Sequence, residues 1–336
     1  MRAHNKEEGP GNAEEANLYV DRSCTGCGTC RSLCPGVFGA LGLRTVVERK
    51  PLDEIETRAA YRAMVTCPLG AIRLRKPDPL VKEVVTHDFP TPLDPVALPG
   101  VHLLGYHNRE SMGTTPYLIV REGGAGNIMI DAPRFNGRLA MQIEALGGIR
   151  YNIVTHEGAA PHHDLWHAFF PTSERVVHRM DVTREMKGQV EAMLQGKGPW
   201  FIDDDIKIVA LPGYSAGAVG VIYYPPPSQS SSISGSISII ISSSRNNGGI
   251  LFSGRTIGWS PRLNRLDGFA QFSRGSLGKQ AESIKALAKE DFEWILPSEG
   301  LKYRLPEGGR KDAKERLLTE AADRFSELGR VGGLSM

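Results

Sequence analysis

The segment DRSCTGCGTCRSLCP crowds Cys24, Cys27, Cys30 and Cys34 into eleven residues of a 336-residue chain. A fifth cysteine, Cys67, lies in VTCPLGAIRL, and none follows it. Five thiols are too few for a disulfide scaffold in a chain this long, and an odd number leaves one unpaired. Thiols grouped so tightly point to a metal site rather than to scattered packing residues. Elsewhere the composition is that of an ordinary globular protein: 40% hydrophobic and 23% charged residues exclude a fully disordered chain. Forty Lys and Arg against 38 Asp and Glu leave a net charge of +2, which gives no general argument for binding nucleic acid or an anionic membrane. No stretch reaches the roughly 18 to 20 apolar residues that a membrane-spanning helix requires.

The spacing C-x2-C-x2-C-x3-C-P lets one loop wrap three thiolates around successive corners of a cubane, with its backbone N–H groups toward the sulfides. Residues 17–76 resemble the single-cluster [4Fe–4S] ferredoxins. In the pseudo-twofold ferredoxin arrangement, one cluster takes three thiolates from its own loop and one from the Cys-Pro of the other half. The resemblance therefore implies one [4Fe–4S] cluster on Cys24, Cys27, Cys30 and Cys67. Cys34 occupies the position whose partner loop is missing and reads as a buried free thiol rather than a ligand. A four-cysteine zinc knuckle is the competing reading, but gaps this short suit two separated pairs of ligands poorly. Val37, Phe38, Leu69 and Ile72 are expected to form the apolar shell of the site.

The organisation follows from texture. Residues 1–16 are polar, lack an apolar period and read as a disordered tail, neither a secretory signal nor an intact transit peptide. Residues 17–76 form a unit between the short strands LYV and AIRLR, with a helix over Glu54–Val65. Residues 77–100 carry Pro77, Pro79, Pro90, Pro92, Pro95 and Pro99 and suit an extended connector. Residues 101–336 alternate β-branched runs with helical patterns, among them Asn136–Leu146, Thr183–Leu194, Leu277–Ala288 and Lys311–Leu328, which indicates a layered domain. The Ser/Ile-rich tract at 225–249 interrupts it as a low-complexity insertion. The fold class is α+β, a small ferredoxin-like domain followed by an αββα sandwich.

The larger domain contains, in this order, GYHNRESMGTTPYLIV, NIMIDAPRF, IVTHEGAAPHHDLWHAFF, VVHRMDV, LPGYSAGAVGVIY, ILFSGRTIGWS and FEWILPSEG. Through these segments it resembles the metallo-β-lactamase fold, most closely its ferredoxin-fused cyanobacterial and plastid members. Active members hold one or two metals through an H-x-H-x-D-H loop, a His in a P-G-H turn, a bridging Asp and a final His. Here His156 and His163 match parts of that loop at longer spacing, Tyr214 stands in the P-G-H turn, Arg255 replaces the bridging Asp, and Glu299 replaces the last His. A guanidinium offers only donors and repels a cation. Arg255 and Glu299 are thus expected to pair across the site, their charged ends within about 6 Å. A remnant mononuclear site on His156, His163 and Glu299 is the competing reading.

These features favour an iron–sulfur electron-relay protein whose second domain has lost its metals and serves as a binding scaffold, its pocket at Arg255 and Tyr214 open to an anion. The alternatives are a metallo-hydrolase or oxidoreductase with the remnant site, and a structural or assembly subunit of a larger photosynthetic complex. The implied partner is a redox protein or a larger complex, with no nucleic acid and no transmembrane segment. Thiolate ligation requires a reducing compartment, and the plastid resemblance points to the chloroplast stroma.

Overall fold

The computed structural model describes residues 7–226, 248–260, 263–268, 270, 273–306 and 310–332. Most of the expected insertion, residues 227–247, lies outside the described residues. The first unit runs through β1 (Leu18–Val20), α1 (Thr29–Leu33), the hairpin β2 (Phe38–Leu41) and β3 (Arg44–Val47), α2 (Glu54–Thr66) and β4 (Ile72–Leu74). Strands β1 and β4 close it as an antiparallel pair, with Leu18 opposite Leu74. The segment expected as a disordered tail is in part built into this unit. Asn12 donates to the Gly9 and Val20 carbonyls at 2.8 and 3.0 Å and accepts from the Val20 and Val47 amides, both at 3.0 Å. With both donors and its acceptor engaged, the Asn12 amide ties this segment to β1 and β3.

Residues 77–100 correct the expectation of an extended connector. They form α3 (Leu80–His87), β5 (Thr91–Asp94) and the start of β6 (Leu98–Leu103). The prolines stop at Pro79 and resume at Pro90, so the interval is long enough for two helical turns, and Asp78 accepts from the Leu80 amide at 2.9 Å to start them. Pro92 lies on a strand at the edge of its sheet, where a missing N–H is tolerated.

After β6 come β7 (Tyr117–Ile119), β8 (Ile128–Ile130), α4 (Gly137–Ala145), β9 (Tyr151–Val154), α5 (His163–Phe169), β10 (Glu174–His178) and β11 (Ala192–Leu194). Strands β5 to β11 lie side by side in chain order, antiparallel as far as β8 and parallel from there. The helix expected over 183–194 does not form. Gly188, at φ +80, breaks it, and Ala192–Leu194 instead gains ladder bonds along β10. The second sheet follows with β12 (Trp200–Ile202), β13 (Ile206–Ala210), β14 (Val219–Tyr223) and β15 (Ile250–Gly254). Next come the hairpin β16 (Gly258–Ser260) and β17 (Arg265–Asp267), α6 (Leu277–Ala286), β18 (Trp294–Pro297), β19 (Tyr303–Arg304) and α7 (Arg310–Gly332). Its strand order is β12–β13–β14–β15–β18–β19, with β15 and β18 parallel.

Side-chain alternation assigns the layers. Ile128, Ile130, Val219, Val221 and Phe252 point into a core between the two sheets. Met129 and Leu118 face the opposite way, toward Leu139 and Trp166 of the helical layer on the first sheet. Ile222, Leu251 and Ile295 face α6 and α7 on the second. That is the expected αββα order. The core under the first sheet also contains Phe38, Tyr61, Val84, Phe89 and Tyr106, so the small unit and the sandwich share one apolar interior.

Candidate functional site

The cysteine loop runs from β1 into α1. Gly26 and Gly28 take φ +73 and +83, left-handed values that bring the backbone round the sulfurs. The Gly26 amide donates to Cys24 Sγ at 3.4 Å and the Ala71 amide to Cys67 Sγ at 3.3 Å, while the Thr29 hydroxyl lies 3.6 Å from Cys27 Sγ. Cys67 is delivered by the C-terminus of α2 and is followed by Pro68, which cannot extend the helix. Burial, reinforced by the neighbouring sulfur of Cys27, pushes the Cys30 thiol up to about 12; burial raises the Cys27 thiol as well, with smaller contributions from Cys67 and Cys24. Among the described residues no three His, Cys, Asp or Glu side chains gather as a single-ion site. A [4Fe–4S] cluster takes one thiolate at each of its irons, so its four ligands need not meet at one ion. Cys34 stands apart, buried, with its Sγ directed to the Glu56 carbonyl at 3.7 Å.

The sandwich edge faces this loop. Arg255, just beyond β15, donates from Nη2 to the Ser111 and Met112 carbonyls at 2.9 and 3.1 Å, and from Nη1 to the Tyr214 hydroxyl at 3.2 Å. Its Nη1 lies 3.5 Å from the Glu299 carboxylate, inside the expected limit. The guanidinium carbon sits 5.4 Å from the Tyr214 ring centroid, and that ring meets His156 edge-on at 4.9 Å. Burial outweighs Arg255 at Glu299 and pushes its carboxyl up to about 7. Arg255 and Tyr214 are both buried and bound to protein groups, so the anion pocket expected on that pair is already filled by protein.

His156, His163 and Glu299 do not converge. His156 Nδ1 lies 2.8 Å from the Thr155 hydroxyl, and burial, then Arg255 and Arg274, holds the imidazole neutral. His163 Nδ1 lies 3.1 Å from Arg175 Nη1 on the neighbouring strand. Among the described residues no three His, Cys, Asp or Glu side chains, these included, are grouped so as to hold a metal ion.

Sequence reasoning missed the carboxylate that ties the edge together. Asp131, fully buried after β8 at φ +59, accepts from the Thr155 amide at 2.8 Å and from the Thr155 and Ser298 hydroxyls, both at 2.9 Å. Its position at a strand end was the available signal, but nothing local marks it as shared by β9 and β18. His107 was also missed. It is fully buried, its backbone amide donates to the Thr66 carbonyl beside Cys67, and burial holds its imidazole well below the usual range against the opposing pull of the Gly113 backbone.

Comparison with known families bears on the cysteine loop. Residues 20–74 match the family described as the 4Fe-4S single cluster domain of Ferredoxin I. The first unit is a [4Fe–4S] domain. The match covers a minor part of the chain, and comparison with curated proteins finds none that matches. Among solved structures, the chain is similar to a HARLDQ-motif mutant of the metallo-β-lactamase of Cronobacter sakazakii (Enterobacter sakazakii), at 13% identity and TM-score 0.44, covering 71% of this chain and 97% of that one. It is also similar to the metallo-β-lactamase of Hirschia baltica, at 15% identity and TM-score 0.40, covering 61% and 85%. The layered architecture stands on the strand order described above.

The ferredoxin domain and the sandwich edge enclose a cleft of about 600 Å³. Its walls include Cys27, Pro68 and Leu69 on one side and Arg109, Arg255 and Glu299 on the other. Of the four thiols implied as ligands, Cys27 is the one that lines this cleft.

Proposed function

We propose that this protein is a one-electron iron–sulfur relay whose sandwich domain has lost the metal site of the fold it resembles and acts as a binding scaffold. Cys24, Cys27, Cys30 and Cys67 hold the [4Fe–4S] cluster, and Cys34 stays a free buried thiol. Bound there, the cluster accepts and donates single electrons. The Gly26 and Ala71 amides stabilise sulfur charge, and the apolar core around Phe38 and Ile72 limits water.

The observation that carries the scaffold reading is Arg255. Its charge sits where the resemblance places a bridging carboxylate, braced by the Ser111 and Met112 carbonyls and Glu299. A fixed guanidinium repels a metal ion and locks the 108–114 loop, which rests on the cluster loop: a Cβ on Gly113 would lie 3.3 Å from Pro68 and 3.9 Å from Cys27. Thiolate ligation places the protein in a reducing compartment, and the sequence resemblance favours the chloroplast stroma. The partner in this reading is a redox protein or a larger complex. Among the described residues no helix is long and apolar enough to cross a membrane.

The test is metal and acid-labile sulfide analysis of anaerobically purified protein, with EPR of the reduced form. About four iron and four sulfide per chain and no other metal is the expected result. Additional zinc, manganese or iron that disappears in His156→Ala would overturn the scaffold reading.

A further inference from the structure

The cleft between the cluster loop and the sandwich edge has the size and lining of a small-molecule site. About 600 Å³ lies within the range of ligand pockets. Pro68, Leu69 and Met112 supply apolar wall. Arg109 lines the same space with an exposed guanidinium that makes no ion pair among the described residues. An adjoining smaller cavity of about 80 Å³ shares Cys27, Met112, Gly113 and Glu299 and adds Lys302, whose charge also reaches Asp94 outside it. Three cations and one carboxylate thus line the two spaces, and Arg255, already bound to Glu299 and two carbonyls, is the one that cannot turn to a ligand. The available positive charge is that of Arg109 and Lys302. A confined space with one sign of mobile charge and apolar walls selects an anion that also has a body to bury.

We propose that this cleft binds a small organic carboxylate with an apolar body, its acid group toward Arg109 and its body against Pro68, Leu69 and Met112, beside the Cys27 corner of the cluster. The assignment rests on the iron–sulfur reading for its redox meaning but not for the binding itself. A guanidinium recognises a planar carboxylate through two parallel N–H donors. Inorganic phosphate has no surface to place against Leu69 and Met112, and an uncharged analogue leaves Arg109 without a counter-charge. A bound ligand would also exclude water from the Cys27 side of the cluster, which alters the environment that sets its electronic properties.

The experiment uses the full chain with its cluster intact. Calorimetric titrations with benzoate, phenylpyruvate and 4-methyl-2-oxopentanoate are compared with inorganic phosphate and benzyl alcohol, and EPR of the reduced cluster is recorded with and without each. At least one carboxylate is expected to bind saturably and to perturb the EPR signal. Arg109→Ala should weaken that binding about tenfold and Arg109→Lys less, a difference of about 1.4 kcal/mol for the first. Because Arg109 is exposed, neither variant threatens the fold. No carboxylate binding below about 10 mM, a range calorimetry can reach, would overturn the proposal in protein whose iron and sulfide are intact. Phosphate or benzyl alcohol binding as well as the carboxylates would overturn it too, as would an unchanged affinity in Arg109→Ala. Carboxylate binding to a protein that holds no iron would preserve the site and defeat the iron–sulfur relay instead.

Discussion

At Gly26 a Cβ would lie 1.7 Å from the Leu43 carbonyl oxygen, on a residue already at φ +73. Gly26→Ala should therefore displace the cysteine loop from the β2–β3 turn, at a cost above the roughly 1–2 kcal/mol of the left-handed conformation alone. The measurement is the visible absorbance of the cluster per chain, which is expected to fall. The same absorbance should be lost in Cys67→Ala and kept in Cys34→Ala, because Cys34 contacts the Glu56 carbonyl and not the other thiols. Arg255 is the second decisive residue. Arg255→Met would leave Glu299 and two carbonyls without their donor, at about 3–5 kcal/mol for a broken buried pair. Adding Glu299→Leu should recover part of that loss in a double-mutant cycle read by urea unfolding. Asp131 sets a pH dependence at the same edge. Burial pushes its carboxyl up to about 7, so the folded protein keeps a proton that the unfolded chain releases near 3.9. Its contribution is complete below the unfolded value and is lost as pH rises through about 7. The urea midpoint is thus expected to fall from pH 6 to pH 8, and less steeply in Asp131→Asn.

Helix α2 ends at Cys67, so the proposed ligand set depends on where this helix sits. Asp53 caps it by accepting from the Glu56 amide at 2.8 Å, and Glu56 accepts in turn from the Leu52 amide at 2.7 Å. On its half-buried face Arg58 and Arg62 both reach the buried Asp88, at 2.6 Å each, fastening α2 to the end of α3. Asp53→Ala should cost about 1 kcal/mol, as N-cap removals do. Cluster content is expected to stay unchanged, because packing of Tyr61 and Ala63 still holds the helix in place. A loss of cluster in this variant would show that the cap, rather than the packing, positions Cys67. Helix α4 is capped in the same way by Asn136, which accepts from the Arg138 and Leu139 amides at 3.0 and 3.1 Å. Both helices were legible in the sequence because cap and apolar period agree. The expected helix at 183–194 had period without a compatible backbone at Gly188, and the strand partner that captured its end is not visible from the segment itself.

At the scale of the molecule, the two domains are not joined by a free tether. Phe89 and Tyr106 pack edge-to-face at 5.5 Å between α3 and the first sheet, within a core that runs from Leu18 to Trp166. Burying a side chain of that size contributes roughly 1.5–3 kcal/mol, so the shared interior couples the stability of the two units. Cluster absorbance, tryptophan fluorescence and far-UV circular dichroism should accordingly change together in anaerobic urea unfolding. A cluster signal that disappears well before the others would show that the ferredoxin domain opens alone.

The sequence by itself determined the cysteine loop, the layers of the sandwich and a guanidinium at position 255. Thiol spacing is a covalent fact, strand alternation repeats every two residues, and a guanidinium cannot ligate a cation in any fold. Only the tertiary structure decided that residues 7–16 and 77–100 are built in, that Asp131 joins Thr155 to Ser298, and that a cleft opens beside Cys27. Those outcomes depend on groups far apart in the chain. Thr155 is 24 and Ser298 is 167 residues from Asp131, and burial creates an energetic demand for such partners only after the sheets have met.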